Sequence, residues 1–219
     1  MKDLAIYGAG GMGRETYCII CDINKQSLTW RFVGFFDDNL SLKGSENEYG
    51  PILGGIDDLN AWSSPISVVV CIGSPYPIKS VVERISNKYV DFPNIYSPSA
   101  YFSDISRLKI GQGNIICRNC MVGTNVTIGD FNMILDTSYI GHDSTVGNCN
   151  VFMPGSAISG GITIGVNNFF GFRSAVMQGL SIGNGNRIGA GSILIKNAQD
   201  NHLYFGNPAI AIKDISNNK

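Results

Sequence analysis

The sequence predicts a two-part protein: a small α/β domain followed by an all-β parallel β-helix. Two observations predict it. A glycine-rich loop sits between a strand-like and a helix-like segment near the N-terminus, and an apolar residue recurs every six positions through the second half. The bulk composition agrees. Hydrophobic residues make up 44% of the 219-residue chain and charged residues 15%, enough for a sizeable core. With a formal net charge of −1 and no basic stripe, nucleic acid is not an expected partner. No apolar run approaches the ~18 residues a membrane span needs. The stretch before Gly8 has too few apolar residues for a signal peptide. A cytoplasmic protein without a membrane span is expected.

Taken in order, Lys2 to Tyr7 reads as a buried strand. Gly8-Ala9-Gly10-Gly11-Met12-Gly13 then spells G-x-G-x-x-G, and Arg14 to Lys25 carries apolar residues at helical spacing. Trp30 to Phe36 reads as a second strand ending in Asp37-Asp38. Ser67 to Ile72 reads as a third, followed by Gly73, and Ile78 to Tyr89 as a helix. This is a Rossmann-like half with a parallel sheet. Its glycine loop can cradle phosphate on main-chain N–H groups, and an acid at the end of the second strand can hold a ribose hydroxyl. Gly8, Gly10, Gly11, Met12, Gly13, Asp37, Asp38 and Gly73 are the candidate substrate-binding residues. The strands are too few for two mononucleotide halves, so a mononucleotide or nucleotide-sugar is expected rather than NAD.

From Ile110 to Leu194 every sixth residue is apolar, with no break in register. Glycine often follows directly, as at 111, 123, 129, 141 and 147, and a small or polar residue comes four places on, as at Asn114, Asn132 and Ser144. A period of six suits neither an amphipathic helix nor an alternating strand. It suits a coil with three flat faces, each one hexapeptide long, with one aliphatic side chain per face pointing inward. Glycine and asparagine are expected at corners of positive φ. Coils of 18 residues stacked at the strand spacing give a prism about 24 Å long, stabilised as a solenoid by its neighbours. The domains are thus expected at 1–100 and 101–199, with a tail at 200–219. Of the six cysteines, Cys18/Cys21 and Cys117/Cys120 have C-x-x-C spacing. One pair falls in the first helix and the other inside the repeat, so they read as buried thiols rather than a zinc site.

The [LIV]-G-x4 repeat and the closing Gly206-Asn207-Pro208-Ala209 resemble the hexapeptide-repeat acyltransferases. Further pieces narrow the likeness: Ile6-Tyr7-Gly8-Ala9-Gly10-Gly11-Met12-Gly13, Val33-Gly34-Phe35-Phe36-Asp37-Asp38, Val69-Val70-Cys71-Ile72-Gly73, Ser97-Pro98-Ser99-Ala100 and Ile140-Gly141-His142-Asp143. Together they resemble the sugar O- or N-acyltransferases of the sialic acid and bacillosamine type. That resemblance implies a left-handed prism, a homotrimer, acetyl-CoA as cosubstrate with no metal, and a nucleotide-linked amino sugar as acceptor. It also implies that His142 is the base and that Asp143 supports it. Adding one coil to 142 gives Gly160, whose N–H is placed to stabilise an oxyanion. The family's second histidine, near the acetyl group, is Val151 here, which with Gly160 is a candidate contact to CoA, and a family asparagine is Leu135. Arg187, Lys196 and Lys213 are candidates for the phosphates of CoA, while His202 reads as structural or solvated. O-acetylation of a sialic-acid-like sugar, and a non-catalytic β-helix that binds nucleotide-sugar, are the rival functions.

Overall fold

A computed structural model describes residues 1–216; residues 217–219 of the expected tail lie outside the described residues. The N-terminal domain runs β1 (Lys2–Tyr7), α1 (Gly11–Gln26), β2 (Trp30–Phe36), β3 (Glu46–Asn47), β4 (Gly50–Gly54), α2 (Ile56–Asn60), β5 (Ile66–Val70), α3 (Pro75–Arg84) and β6 (Val90–Asp91). The sheet order is β3-β4-β2-β1-β5-β6. Only the β3–β4 pair is antiparallel. In β1 the consecutive residues Leu4, Ala5, Ile6 and Tyr7 are all buried, as a central parallel strand covered on both sides requires. The expected helix at 78–89 is shorter and starts earlier. Pro75 opens it, where a missing N–H costs nothing.

The second half is a left-handed parallel β-helix built from two-residue strands in three stacked sheets. Fourteen of the inward positions, from Ile116 to Leu194, are at most 3% exposed. Phe152 and Phe170 stack inside it with ring centroids 4.6 Å apart. The prism begins earlier than residue 101: Ile95–Tyr96 pairs with Ile115–Ile116, so Ser97 to Ala100 belong to the first coil. It also ends later, because Leu203–Tyr204 pairs with Arg187–Ile188. A hairpin of His202–Gly206 and Ala209–Asp214 closes that end.

Two sequence features serve a different purpose from the one expected. The glycine directly after each inward residue does not supply positive φ. A Cβ on Gly123 would lie 2.6 Å from the His142 nitrogen, and one on Gly141 2.5 Å from the Gly160 nitrogen, so these glycines let successive coils touch. The left-handed residue comes two places later, as at Asn119, Asn125 and Asp143 (φ near +55°). The polar residues four places on form buried ladders. Asn114, Asn132, Asn150 and Asn168 are linked amide to amide, each side-chain nitrogen donating to the oxygen one coil earlier at 3.0–3.1 Å.

The three outer faces differ in chemistry. On the first, Ile115, Met133 and Val151 are buried beneath the N-terminal domain. Its α1 reaches one edge of that face, where the Arg118 guanidinium meets Asp22 at 3.0 Å. Its α3 reaches the other edge, where Tyr76 approaches Gly185. The second face carries Tyr101, Met121, Tyr139, Ala157, Ala175 and Ile193, an apolar row that the chain leaves open. The third carries Lys109, Thr127, Thr145, Thr163 and Ser181. Among the described residues no helix is long and apolar enough to cross a membrane.

Candidate active site

His142 follows the inward Ile140 by two places, on the edge between the second and third faces, and its side chain is 53% exposed. Its neighbour Asp143 takes the left-handed conformation, φ +56°. That turn brings the Asp143 carboxylate back to the imidazole, Oδ2 to Nδ1 at 2.7 Å. The Asn125 amide, one coil earlier, donates to the other oxygen at 3.1 Å. The imidazole bond, and then the Asn125 bond, hold the Asp143 carboxyl below the ordinary carboxylate range. With Nδ1–H committed to Asp143, Nε2 carries the free lone pair.

The imidazole lies against Gly160, where a Cβ would come within 2.4 Å of Nε2. At several corners elsewhere on the prism, the main-chain N–H at this hexad position is capped by an Asp or Asn one coil on, though not at Asp136, Asn148 or Phe172. Gln112 donates to Asp130, Arg118 to Asp136, Asp130 to Asn148 and Val166 to Asn184, at 2.8–2.9 Å. Along the His142 edge the corresponding residues are His142, Gly160 and Gln178. Among the described residues no acceptor takes the Gly160 N–H. The edge therefore holds a lone pair and an unused donor side by side. Gln178, standing where Asp or Asn caps other corners, was the sequence signal for that unused donor.

Continuing along this edge, Ile140, Ile158, Val176 and Leu194 stack in register, which puts Lys196 three coils from His142, about 14 Å. Arg187 and Lys213 are elsewhere. Arg187 projects from the first face, over the Phe169 ring at 5.7 Å, and Lys213 pairs with Leu203 in the closing hairpin. The expectation for Val151 is corrected: it is wholly buried on the first face, so its side chain cannot meet an acyl group.

In the N-terminal domain the glycines divide. Gly8 has φ +111° and lies against the Cys71 carbonyl, and a Cβ on Gly13 would meet the Gly8 oxygen at 1.9 Å. These two make the turn and the close helix–strand contact, and neither offers open space to a ligand. Gly10, Gly11 and Gly73 have nothing within 4 Å of a built Cβ, and Gly10 caps α1, so the open surface is there. The acidic pair is already engaged. Asp37 accepts from the Ala9 and Asn39 N–H groups at 2.8 and 2.9 Å, which fixes the loop. Asp38 accepts two bonds from Arg84, at 2.9 and 3.0 Å, and one from the Tyr7 hydroxyl at 2.5 Å. Arg84, and then Tyr7, hold the Asp38 carboxyl low. Burial, and then Asp38, push the Tyr7 phenol up.

A cavity of about 300 Å³ opens between the first turns of α1 and the prism edge bordering the first and second faces. Its walls are Gly11, Met12, Glu15, Cys117, Leu135, Asp136, Met153 and Pro154. Glu15 and Asp136 were not expected from the sequence, because only the fold brings α1 against that edge. Burial raises the pKa of the neighbouring Cys120 thiol to about 11. Among the described residues no group of three or more His, Cys, Asp or Glu gathers as a metal site.

Comparison with known proteins follows this division. Residues 3–85 match the PglD N-terminal domain family. The acetyltransferase domain of PglB from Neisseria gonorrhoeae superposes over 97% of this chain and 100% of its own, with TM-score 0.87 and 23% identity. WeeI from Acinetobacter baumannii AYE covers 97% and 100%, with TM-score 0.86 and 25% identity. PerB from Caulobacter crescentus, solved with CoA and GDP-perosamine, covers 97% and 98%, with TM-score 0.86 and 21% identity. Among curated proteins no relative matches the chain. The fold implied by the hexapeptide repeat and the glycine loop is borne out over nearly the whole chain, and the family match covers its first domain.

Proposed function

We propose that the protein transfers an acetyl group from acetyl-CoA to the amino group of a nucleotide-linked sugar, in sites shared between the chains of a homotrimer. The observation that carries this reading is the pairing of His142 with Gly160: a free Nε2 lone pair beside an unused main-chain N–H. His142 Nε2 takes the proton of the acceptor amine as the new C–N bond forms, and returns it to the departing CoA thiolate as the thioester C–S bond breaks. Asp143 holds the imidazole in the tautomer that can do so. The Gly160 N–H donates to the thioester carbonyl oxygen as negative charge builds there. Lys196, on the same edge, meets the phosphate end of CoA. The structures of PerB with CoA and GDP-perosamine and of the PglB domain with acetyl-CoA support the choice of substrates.

The character of the three faces supports the trimer. The first is covered and the third is polar, while the second is apolar and open. Three copies packed around a threefold axis through their second faces bury that row. Such packing is heterologous. It sets the His142 edge of one chain beside the opposite edge of the next, where the cavity under α1 lies. Within one chain the glycine loop and His142 stand at opposite edges of that face, and between two chains they adjoin.

The test is turnover of acetyl-CoA with a panel of nucleotide amino sugars. His142→Ala is expected to lower the rate by about 10²–10⁴-fold, the usual contribution of a general base. An amide product supports the reading and an ester product replaces it with O-acetylation. His142→Ala turnover within about threefold of wild type, with assembly intact, removes His142 from the mechanism.

A further inference from the structure

The cavity between α1 and the prism bears on which sugar the protein accepts. This inference rests on the reading above and deepens it. The cavity adjoins the open part of the glycine loop, so a sugar joined to a diphosphate held there enters it. Its floor is apolar: Cys117 and Leu135 are 5% and 4% exposed, and Met12 and Met153 flank them. Its charged groups are both carboxylates. Glu15 makes no hydrogen bond or ion pair among the described residues. Asp136 accepts only the Arg118 main-chain N–H, at 2.9 Å, because the Arg118 guanidinium is turned to Asp22. No cationic side chain lines the cavity. It is therefore a partly enclosed space lined by two carboxylates and no cation, with the Arg118 guanidinium acting on Asp136 only from outside it, next to the open glycine loop.

We propose that Glu15 and Asp136 determine the acceptor: they favour a sugar bearing a basic amino group and reject sugars bearing a carboxylate. An ammonium group entering this cavity supplies the counter-charge it lacks. A uronate or sialate entering it adds a third carboxylate with nothing to pair with, and specificity of this kind comes from repulsion as much as attraction. The apolar floor gives a ring carboxylate no hydrogen-bond donor in exchange for its lost water. The ammonium group of an amino sugar also sheds water, but Glu15 and Asp136 replace it with paired charge while the ring carbons lie on the thioether and aliphatic side chains.

Calorimetry on the whole trimer tests this. UDP and GDP are titrated first, and the one that binds sets the series: the diphosphate alone, its glucosamine conjugate, its glucose conjugate and its glucuronate conjugate. Wild type is expected to bind the amino sugar at least about tenfold more tightly than the uronate. Glu15→Gln should narrow that ratio roughly fivefold, the scale of one partly screened charge pair, and Glu15→Gln with Asp136→Asn should narrow it further. Binding of the diphosphate alone reports the integrity of the loop. The preference should also fade as pH rises past the pKa of the sugar amine, which a purely structural role for Glu15 would not produce. An unchanged ratio in the double variant, with diphosphate binding intact, overturns the proposal and leaves the nucleotide reading standing. If the double variant does not fold, Glu15→Gln alone decides, since Glu15 makes no contact the fold needs. Failure of wild type to bind either diphosphate overturns both.

Discussion

His142 and Gly160 show how little chemistry a prism edge needs. The imidazole rests on Gly160 because no Cβ stands there, and the Gly160 N–H is unused because Gln178 does not cap it as Asn184 caps Val166. Gly160→Ala separates function from stability at this point. Gly160 is not among the positive-φ residues, so alanine suits the backbone. The closest atoms to the new methyl would be those at the tip of the His142 ring, which can swing into solvent. Turnover is expected to fall by about 10²-fold or more as the base leaves its position, with a melting temperature close to wild type; equal loss of both would mean the glycine is needed for the coil itself. Asp38 permits a second separation. Its folded pKa is depressed, so its stabilisation is fully present above the unfolded value and is lost as pH falls through the folded one. The half-exposed pair is worth under about 1 kcal/mol. Urea melts of wild type and Asp38→Asn are therefore expected to differ slightly at pH 7 and to converge below about pH 4. A gap that widens in acid contradicts the assignment.

At the scale of the element, the hexapeptide coil was legible because one inward residue in six is a strong signal, and Ile140, Phe152 and Ile188 were read correctly from spacing alone. The ends were not. Phe102 and Ile110 are inward neighbours eight residues apart, because Ile105–Arg107 adds a short turn, and this breaks the period in the first coil. In the last coil Tyr204 follows Ile188 by sixteen residues. β4 escaped notice because Gly50-Pro51-Ile52-Leu53-Gly54 looks like a turn until β2 pairs with it. The polar ladder was visible as a pattern but not as an interaction, since the bonds join residues 18 apart. Asn150 sits in its middle. Its amide donates to Asn132 and Gly165, and its oxygen accepts from the Asn168 amide and main-chain nitrogen. Asn150→Ala strands those buried partners, each at about 1–3 kcal/mol. A clear drop in melting temperature is expected, with His142 chemistry preserved in what remains folded. Melting unchanged within about 2 °C would mean the ladder contributes nothing net.

For the whole molecule, the decisive feature is that each face of the prism has a different fate, and no single-chain property of the sequence announced it. The outward residues of the first and second faces are both apolar, Ile115, Met133 and Val151 against Met121, Tyr139 and Ala157. The docking of α1 and α3 on the first leaves the second as the open apolar face, and the proposed trimer is built through it. Two consequences can be measured. Ala157→Arg, placed in the middle of the second face, should yield folded chains of monomer mass with acetyl transfer lost, because each site then lacks its other half. Complementation is the stronger test. Gly10→Val fills the open part of the glycine loop without touching the fold, since nothing lies within 4 Å of that Cβ. His142→Ala removes the base. Each variant alone is expected to be nearly inactive. Unfolded together at equal concentration and refolded, they should regain activity in about a quarter of sites, those where an intact loop from one chain meets an intact His142 from the next. If both residues of a site came from the same chain, no mixture would recover activity, and the mixed sample would stay as inactive as its components.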